Sequence, residues 1–410
     1  MFKHRFMPLL MWFVPLSFFA FQFILRLWPS LNMESIMLQF NITAAGFGFL
    51  ASLYYYGYAG MQLPIAVLLD KFGAKTVLFF CAMMCGLATF LFTYTDNWML
   101  ACLSRFLIGA GSAIGFLGVS KVISEWFSET MYAKMVGYSF SVGLLGAVYG
   151  GMPINSLIET YGNNKVAYIL GSIAIAISFA ALLFLKSPKK FEKEAEKNPI
   201  SLKDLKELLS SKFIWVFAFA NLLMVGSLEG FADVWGVSFL MQFYNLSKSS
   251  AAELTSFIFV GMLFGGPILA FFSDKLGKKT VLVASGFMLA VLLSLVIYGV
   301  SSSWVFLASI FFLIGVFCCY QVIVFAMGAD MVDHRLLGIT IAFLNSINML
   351  GGSFFHTMVG SLMDLFWNGE KLESGLKFYS SLNCQLALSV IPVCAVAGSL
   401  IVMLLKNKHK

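Results

Sequence analysis

Charge is what this chain has least of. Only 11% of its 410 residues are Asp, Glu, Lys or Arg, while 60% are apolar and 16% aromatic. A soluble globule of this length could not cover itself with so few charges, and its core would not hold 44 phenylalanines. Long hydrophilic stretches are equally scarce: residues 186–212 form the only one. A nutrient sensor with a signalling domain therefore has no segment to build that domain from. The phosphate-cradling pattern G-x-x-x-x-G-K-[ST] is missing, which argues against a self-contained ATP-driven pump. H-E-x-x-H and paired intramembrane aspartates are missing too, so nothing points to a membrane protease or another enzyme. The seven cysteines lie mostly in apolar stretches without metal-ligand spacing and read as buried thiols, so no metal and no cofactor are expected.

What the chain does have is apolar runs. Twelve are found, at about 9–31, 43–69, 76–95, 99–123, 133–158, 166–185, 213–243, 251–272, 280–300, 304–327, 337–362 and 382–405. A helix needs about 20 apolar residues to cross the hydrocarbon, and in lipid it satisfies its own backbone hydrogen bonds. The fold class expected is an all-α membrane protein of twelve transmembrane helices. The first run lacks a small-residue cleavage site and is followed by eleven others, so it reads as a span rather than a signal peptide. The hydrophilic stretch divides the chain into 1–185, a linker at 186–212, and 213–410. Within the linker, Ser201 to Leu209 has the pattern of a short amphipathic surface helix.

Orientation follows from the basic residues, which concentrate in short cytoplasmic loops. With the N-terminus inside, twenty of the 27 Lys and Arg fall on the inner side, among them Lys3, Arg5, Lys134, Arg335 and the linker lysines. Only Lys165, Lys248, Lys371 and Lys377 fall outside; Arg26, Arg105 and Lys121 lie within runs. Both termini are expected in the cytoplasm, for a multi-pass protein of a bacterial inner membrane. The net charge of +7 reflects this bias and not nucleic-acid binding.

One loop signature is written twice. Ala66-Val67-Leu68-Leu69-Asp70-Lys71-Phe72-Gly73-Ala74-Lys75 recurs as Ala270-Phe271-Phe272-Ser273-Asp274-Lys275-Leu276-Gly277-Lys278-Lys279, with Asp70 and Asp274 204 residues apart. This resembles the major facilitator superfamily of secondary transporters, whose loop after the second helix carries G-x-x-x-D-[RK]-x-G-[RK]-[RK]. Ala66, Ala270 and Ala74 depart from that pattern. Arg105-Phe106-Leu107-Ile108-Gly109-Ala110-Gly111 is similar to the family's R-x-x-x-G-x-G. The resemblance implies two pseudo-symmetric six-helix bundles that alternate access to a central solute site. It also implies a gating role for Asp70, Lys71, Gly73, Lys75, Asp274, Lys275 and Gly277, with Asp70 capping a helix N-terminus or pairing with a nearby arginine. Arg105 either organises proton coupling or fixes helix packing. Gly143, Gly146, Gly150, Gly151 and Pro153 in the fifth run read as glycine-mediated packing.

The family implies that the first and seventh runs line the central cavity. Arg26 in the first run has Glu229 as its near counterpart in the seventh, at the 204-residue offset. Ionisable groups at membrane depth are rare and usually functional. Glu229 and Asp233, at i, i+4, are candidates for proton coupling, Asp233 lying nearer the end where water reaches it. Gln22, Arg26, Tyr54, Tyr58, Glu229, Trp235, Gln321, Asn345 and Asn348 are candidates for solute binding. Lys121 either lines the cavity or extends toward the surface. His356 is a possible proton carrier but a lone histidine is more often structural, and Gln62-Leu63-Pro64 predicts a kink.

A second resemblance rests on Arg26-Leu27-Trp28-Pro29-Ser30, Gln62-Leu63-Pro64, Lys121 with Trp126-Phe127, and Ala232-Asp233-Val234-Trp235-Gly236. These stretches are similar to phagosomal nutrient transporters of intracellular bacteria and to lysosomal dipeptide carriers. Arg26 binds a carboxylate bidentately, and Glu229 holds an ammonium or carries a proton. The expectation is therefore proton-coupled uptake of an amino acid or small peptide by a monomer. The alternatives are a small organic anion, such as a carboxylate metabolite or siderophore, and drug export.

Overall fold

The computed structural model describes residues 2–186, 202–332 and 336–405. Half of the linker lysines (Lys189, Lys190, Lys193 and Lys197), Arg335, and Lys406, Lys408 and Lys410 lie outside that range. The helices are α1 (Phe2–Leu27), α2 (Met33–Phe40), α3 (Ala44–Tyr94), α4 (Trp98–Ser112), α5 (Ile114–Trp126), α6 (Glu129–Gly150), α7 (Met152–Tyr161) and α8 (Asn163–Phe184). There follow α9 (Leu202–Leu209), α10 (Lys212–Met224), α11 (Gly236–Tyr244), α12 (Lys248–Leu276), α13 (Lys278–Ile297), α14 (Trp304–Cys318) and α15 (Tyr320–Asp330). The last three are α16 (Leu337–Leu365), α17 (Ser381–Leu388) and α18 (Val390–Leu404). A π-helical stretch, Gly226–Trp235, joins α10 to α11. Among the described residues the one β feature is the bridge between Lys371 and Lys377.

Among the described residues, eleven helical segments are long and apolar enough to cross a membrane. One of them, α3, has 51 residues, about 77 Å at helical rise and twice a bilayer's need. It breaks at Gly73 (φ +74°), and its counterpart Gly277 (φ +85°) separates α12 from α13. A side chain with a Cβ resists that left-handed backbone, so both copies of the repeated loop turn at their glycine. Counting α3 as two spans gives the twelve expected. Pro64 lies inside the first of these two spans, where the backbone stays in the helical region.

The chain divides into two compact units. One comprises Met1–Trp28 and Leu53–Ile200; the other, Pro29–Ser52 and Ser201–Lys410. The boundary therefore falls inside α3, between Ser52 and Leu53.

The first unit packs α1 against α5 and α6 through Leu16, Phe19, Val119, Ile123 and Met135, with Trp12, Phe23 and Phe116 against them. Gly146 lets α6 approach the Ala20 carbonyl, and Gly143 faces the Phe19 ring, so these glycines of the fifth run serve packing.

Each unit contains a crossing in which two helices meet backbone to backbone through a pair of facing glycines. In the first, Gly57 of α3 faces the Phe106 carbonyl and Gly109 of α4 faces the Tyr54 carbonyl. In the second, Gly261 of α12 faces the Phe312 carbonyl and Gly315 of α14 faces the Ile258 carbonyl. Both crossings use two glycines, each three residues from the carbonyl that its partner meets. Small residues permit such contact between membrane helices.

Candidate functional site

In the first unit, α1 and α3 bring Gln22, Arg26, Tyr54, Tyr55 and Tyr58 together. Tyr54 donates its hydroxyl hydrogen to Gln22 Oε1 at 2.6 Å and stacks on Tyr58 at 6.2 Å. The Arg26 guanidinium carbon lies 5.3 Å from the ring centroids of both Phe23 and Tyr55. Aromatic faces hold a guanidinium by its charge and fix the plane of its donor fork. Arg105 is buried below this group, 5.2 Å from the Tyr54 ring, and donates from Nη1 to the Leu25 carbonyl at 3.0 Å. It thereby ties α4 to the end of α1, next to Arg26.

Lys121 takes another place. Its Nζ meets Asp70 Oδ1 at 2.8 Å and Glu125 at 4.0 Å, so α5 is joined to the repeated loop within the same unit. The second unit repeats this bridge with the charges exchanged: Lys278 meets Asp330 Oδ2 at 2.5 Å. Asp274, the counterpart of Asp70, is exposed and makes no side-chain bond among the described residues. Lys71 and Lys275 lie over the neighbouring rings of Phe72 and Phe271. Lys75 makes no ion pair among the described residues, and the two loop copies thus share their turn but not their pairing.

The second unit presents the acids. Glu229 and Asp233 are 2% and 1% exposed, so Asp233 is not solvated as its position in the sequence suggested. Both lie within electrostatic reach of Cys318, and Glu229 also of Tyr320. They sit on the π-helical stretch, an uncommon winding that is frequent at functional sites. Gly226 and Gly230 let this stretch lie directly on Phe355 and Ile391. His356 Nε2 is 2.6 Å from the Glu229 carbonyl oxygen. A carbonyl only accepts, so Nε2 carries the hydrogen, and His356 holds the winding in place from α16.

Polar groups on neighbouring elements complete this region. α16 packs on α10 and on the π-helical stretch, and α15 packs on α16. Asn221 Nδ2 donates to Asn348 Oδ1 at 3.2 Å. Trp235 Nε1, Tyr320 OH, Gln321 Nε2 and Asn348 Nδ2 are buried and find no hydrogen-bond partner among the described residues. Asn345 is half-buried on the same helix as Asn348. Arg26 and Glu229 belong to different units, each with its own cluster. Nothing in the pattern of apolar residues signals the π winding; its one trace in the sequence is the set of glycines Gly226, Gly230 and Gly236 around the acids.

The family model described as Major Facilitator Superfamily matches residues 11–356 and, in a second match, 219–405. The chain is 26% identical over 371 residues to a protein named hexuronate transporter of Bacillus subtilis, covering 83% of this chain and 85% of that one. It is 25% identical over 270 residues to a probable galactarate/D-glucarate transporter, GudP, of Escherichia coli, covering 58% and 60%. That match spans less than two thirds of the relative's length. Among solved structures, the nucleoside transporter NupG superposes with a TM-score of 0.78 at 16% identity, covering 97% of this chain and 99% of that one. A bacterial homologue of the human lysosomal transporter Spinster, in an inward-facing and occupied conformation, gives 0.69 at 15% identity, covering 96% and 94%. At these identities the structural likeness concerns the fold.

Proposed function

The chain belongs to the major facilitator superfamily and is a multi-pass membrane transporter, and from that premise we propose that its solute is a small hydroxylated organic acid, moved with protons. The observation that carries this reading is the run of buried donors that find no acceptor among the described residues: Trp235 Nε1, Tyr320 OH, Gln321 Nε2 and Asn348 Nδ2. A buried donor left unsatisfied costs about 1–3 kcal/mol, so the region favours a ligand rich in acceptor oxygens. Arg26, oriented by Phe23 and Tyr55, supplies the group that takes a carboxylate in a fork. The relatives named for hexuronate and for galactarate and glucarate support the same class.

Within this proposal, Gln22, Tyr54 and Tyr58 act with Arg26, and Trp235, Gln321, Asn345 and Asn348 contact the solute from the other unit. Glu229 and Asp233 carry the proton, since both are buried and a carboxylate is costly to keep charged away from water. The loop residues Asp70, Lys71, Gly73, Lys75, Lys275 and Gly277 gate, with Lys121 assigned to Asp70 and Arg105 to packing. Two six-helix bundles, 1–185 and 213–410, alternate access in an inner membrane with both termini cytoplasmic. A zwitterionic amino acid or small peptide is the second reading, favoured by the two buried acids that an ammonium would meet.

Proteoliposome uptake of a labelled hexuronate, with unlabelled aldarate, hexuronate methyl ester and mixed amino acids as competitors, tests both. Competition by the aldarate and not by the ester, lost in Arg26→Lys, is the expected result. Equal competition by the ester overturns the carboxylate reading, and competition by the amino acids alone selects the second.

A further inference from the structure

The first nine residues of α3, 44–52, run along α16 within the second unit. Ser353 Oγ donates to the Ser52 carbonyl at 3.1 Å, Gly48 faces the His356 carbonyl, and Gly360 faces the Ala44 carbonyl. The numbers fall on α3 as they rise on α16, so the segments are antiparallel and touch at about every turn. The series ends at Asp364. Its Oδ2 accepts the Ala45 N–H at 2.9 Å, and its Oδ1 accepts from Lys377 Nζ and from the Tyr379 hydroxyl, both at 2.7 Å. The Tyr379 oxygen in turn accepts the Ala44 N–H at 3.0 Å. Thr43, beside the helix start, also bonds Asp364.

The open N–H groups of a helix's first turn are usually satisfied by the residue just before it. Here they are satisfied by side chains more than 300 residues away. Such a cap exists only while α3 lies against α16. Residues 53–94 belong to the first unit, where Gly57 fixes α3 to α4 backbone to backbone. One helix is thus shared by two bodies, with helical geometry on both sides of the boundary. If the bodies move, α3 either bends near Ser52, at the cost of its own hydrogen bonds, or lets go of α16. Letting go exchanges the polar bonds at Asp364 for water, and water has access: a cavity of about 590 Å³ is lined there by Ala44, Met363, Lys377 and Tyr379, with the exposed Glu34 on its wall. Burial pushes the Tyr379 hydroxyl up from its ordinary value, so it stays protonated and can donate at any physiological pH.

We propose that Asp364 is a gating residue, a releasable cap that holds residues 44–52 on α16 in this conformation and lets them go in the other. The proposal rests on the transporter reading but not on any solute. Its test is the labelling of a cysteine at Ser52, a fully buried position, with a water-soluble maleimide in the full-length protein. Six native cysteines are replaced, and Cys318, buried in the same unit but away from the cap, is kept as an internal control. Asp364→Ala should raise the Ser52→Cys labelling rate about fivefold or more, the shift that a lost helix cap produces. Asp364→Asn, which keeps one acceptor, should give a smaller rise, and Tyr379→Phe a smaller one again. Cys318 should stay unlabelled throughout. An unchanged rate at Ser52→Cys overturns the proposal. So does a parallel rise at Cys318, since Asp364 would then only hold the fold together. Neither outcome involves transport, so both are distinct from a failure of the carboxylate reading.

Discussion

Replacing Gly261 by alanine should separate two helices that meet backbone to backbone. The new methyl would overlap the Phe312 carbonyl oxygen and stand 2.9 Å from its carbonyl carbon and 3.1 Å from Gly315 Cα. Ordinary contact begins at 3.4 Å, and neither backbone has a flexible end that can yield. α12 and α14 must therefore part by a good fraction of an ångström along a crossing that also includes Gly265 and Val316. Overpacking of this kind costs about 1–3 kcal/mol. For a unit of some 200 residues, each kcal/mol lowers the melting temperature by about 2–4 °C, so a fall of about 2–12 °C is expected. Five residues along the same helix, Gly266 has nothing within 4 Å of where its methyl would stand. Gly266→Ala should leave melting unchanged or raise it slightly. The assay is thermal unfolding of both variants in one detergent, followed by loss of the monodisperse gel-filtration peak. If Gly261→Ala and Gly266→Ala melt together with the parent protein, the crossing is not the tight contact described.

Glu229→Gln should abolish accumulation of solute against its gradient while solute exchange across the membrane continues; accumulation that persists moves the proton to Asp233. Asp70→Asn and Lys121→Ala should each slow transport, and the exchanged pair Asp70→Lys with Lys121→Asp should recover part of it, as the reversed bridge Lys278–Asp330 already suggests. The stability change on breaking this bridge should stay below about 1 kcal/mol, because Asp70 is 59% exposed and solvent screens the pair. Larger destabilisation, measured in a double-mutant cycle, would contradict a purely gating contact.

The spans were legible because hydrocarbon imposes a length and a composition that any reader of the chain can count. The break between the second and third was legible too, since Gly73 sits between two charged residues in a loop written twice. Helical spacing put Gln22 and Arg26 on one face of the first run and crowded tyrosines into the second, but their meeting is seen only in the folded chain. Other features depend on partners distant in the chain. Lys121 could have served a cavity as well as a loop until Asp70 was found beside it. Gly57 and Gly261 look like any glycine in an apolar run until a carbonyl from another helix is found against them. Asp364 passed unremarked as an acid at the end of a span, because its function lies in two backbone groups near the beginning of the chain. The π winding has no periodic signature at all: its residues are those of an α-helix with one more per turn.

The cap at Asp364 also sets an order of assembly. Ala45 and Asp364 are 319 residues apart, and at about 5–20 residues per second a ribosome needs roughly 15–60 s to make the distance between them. For that interval the first amides of α3 are without the caps that Asp364 and Tyr379 supply in the folded chain. The second unit cannot be completed from the C-terminal half alone, because Pro29–Ser52 is part of it. A nascent chain stopped before residue 364 therefore holds a finished first unit and a stranded piece of the second.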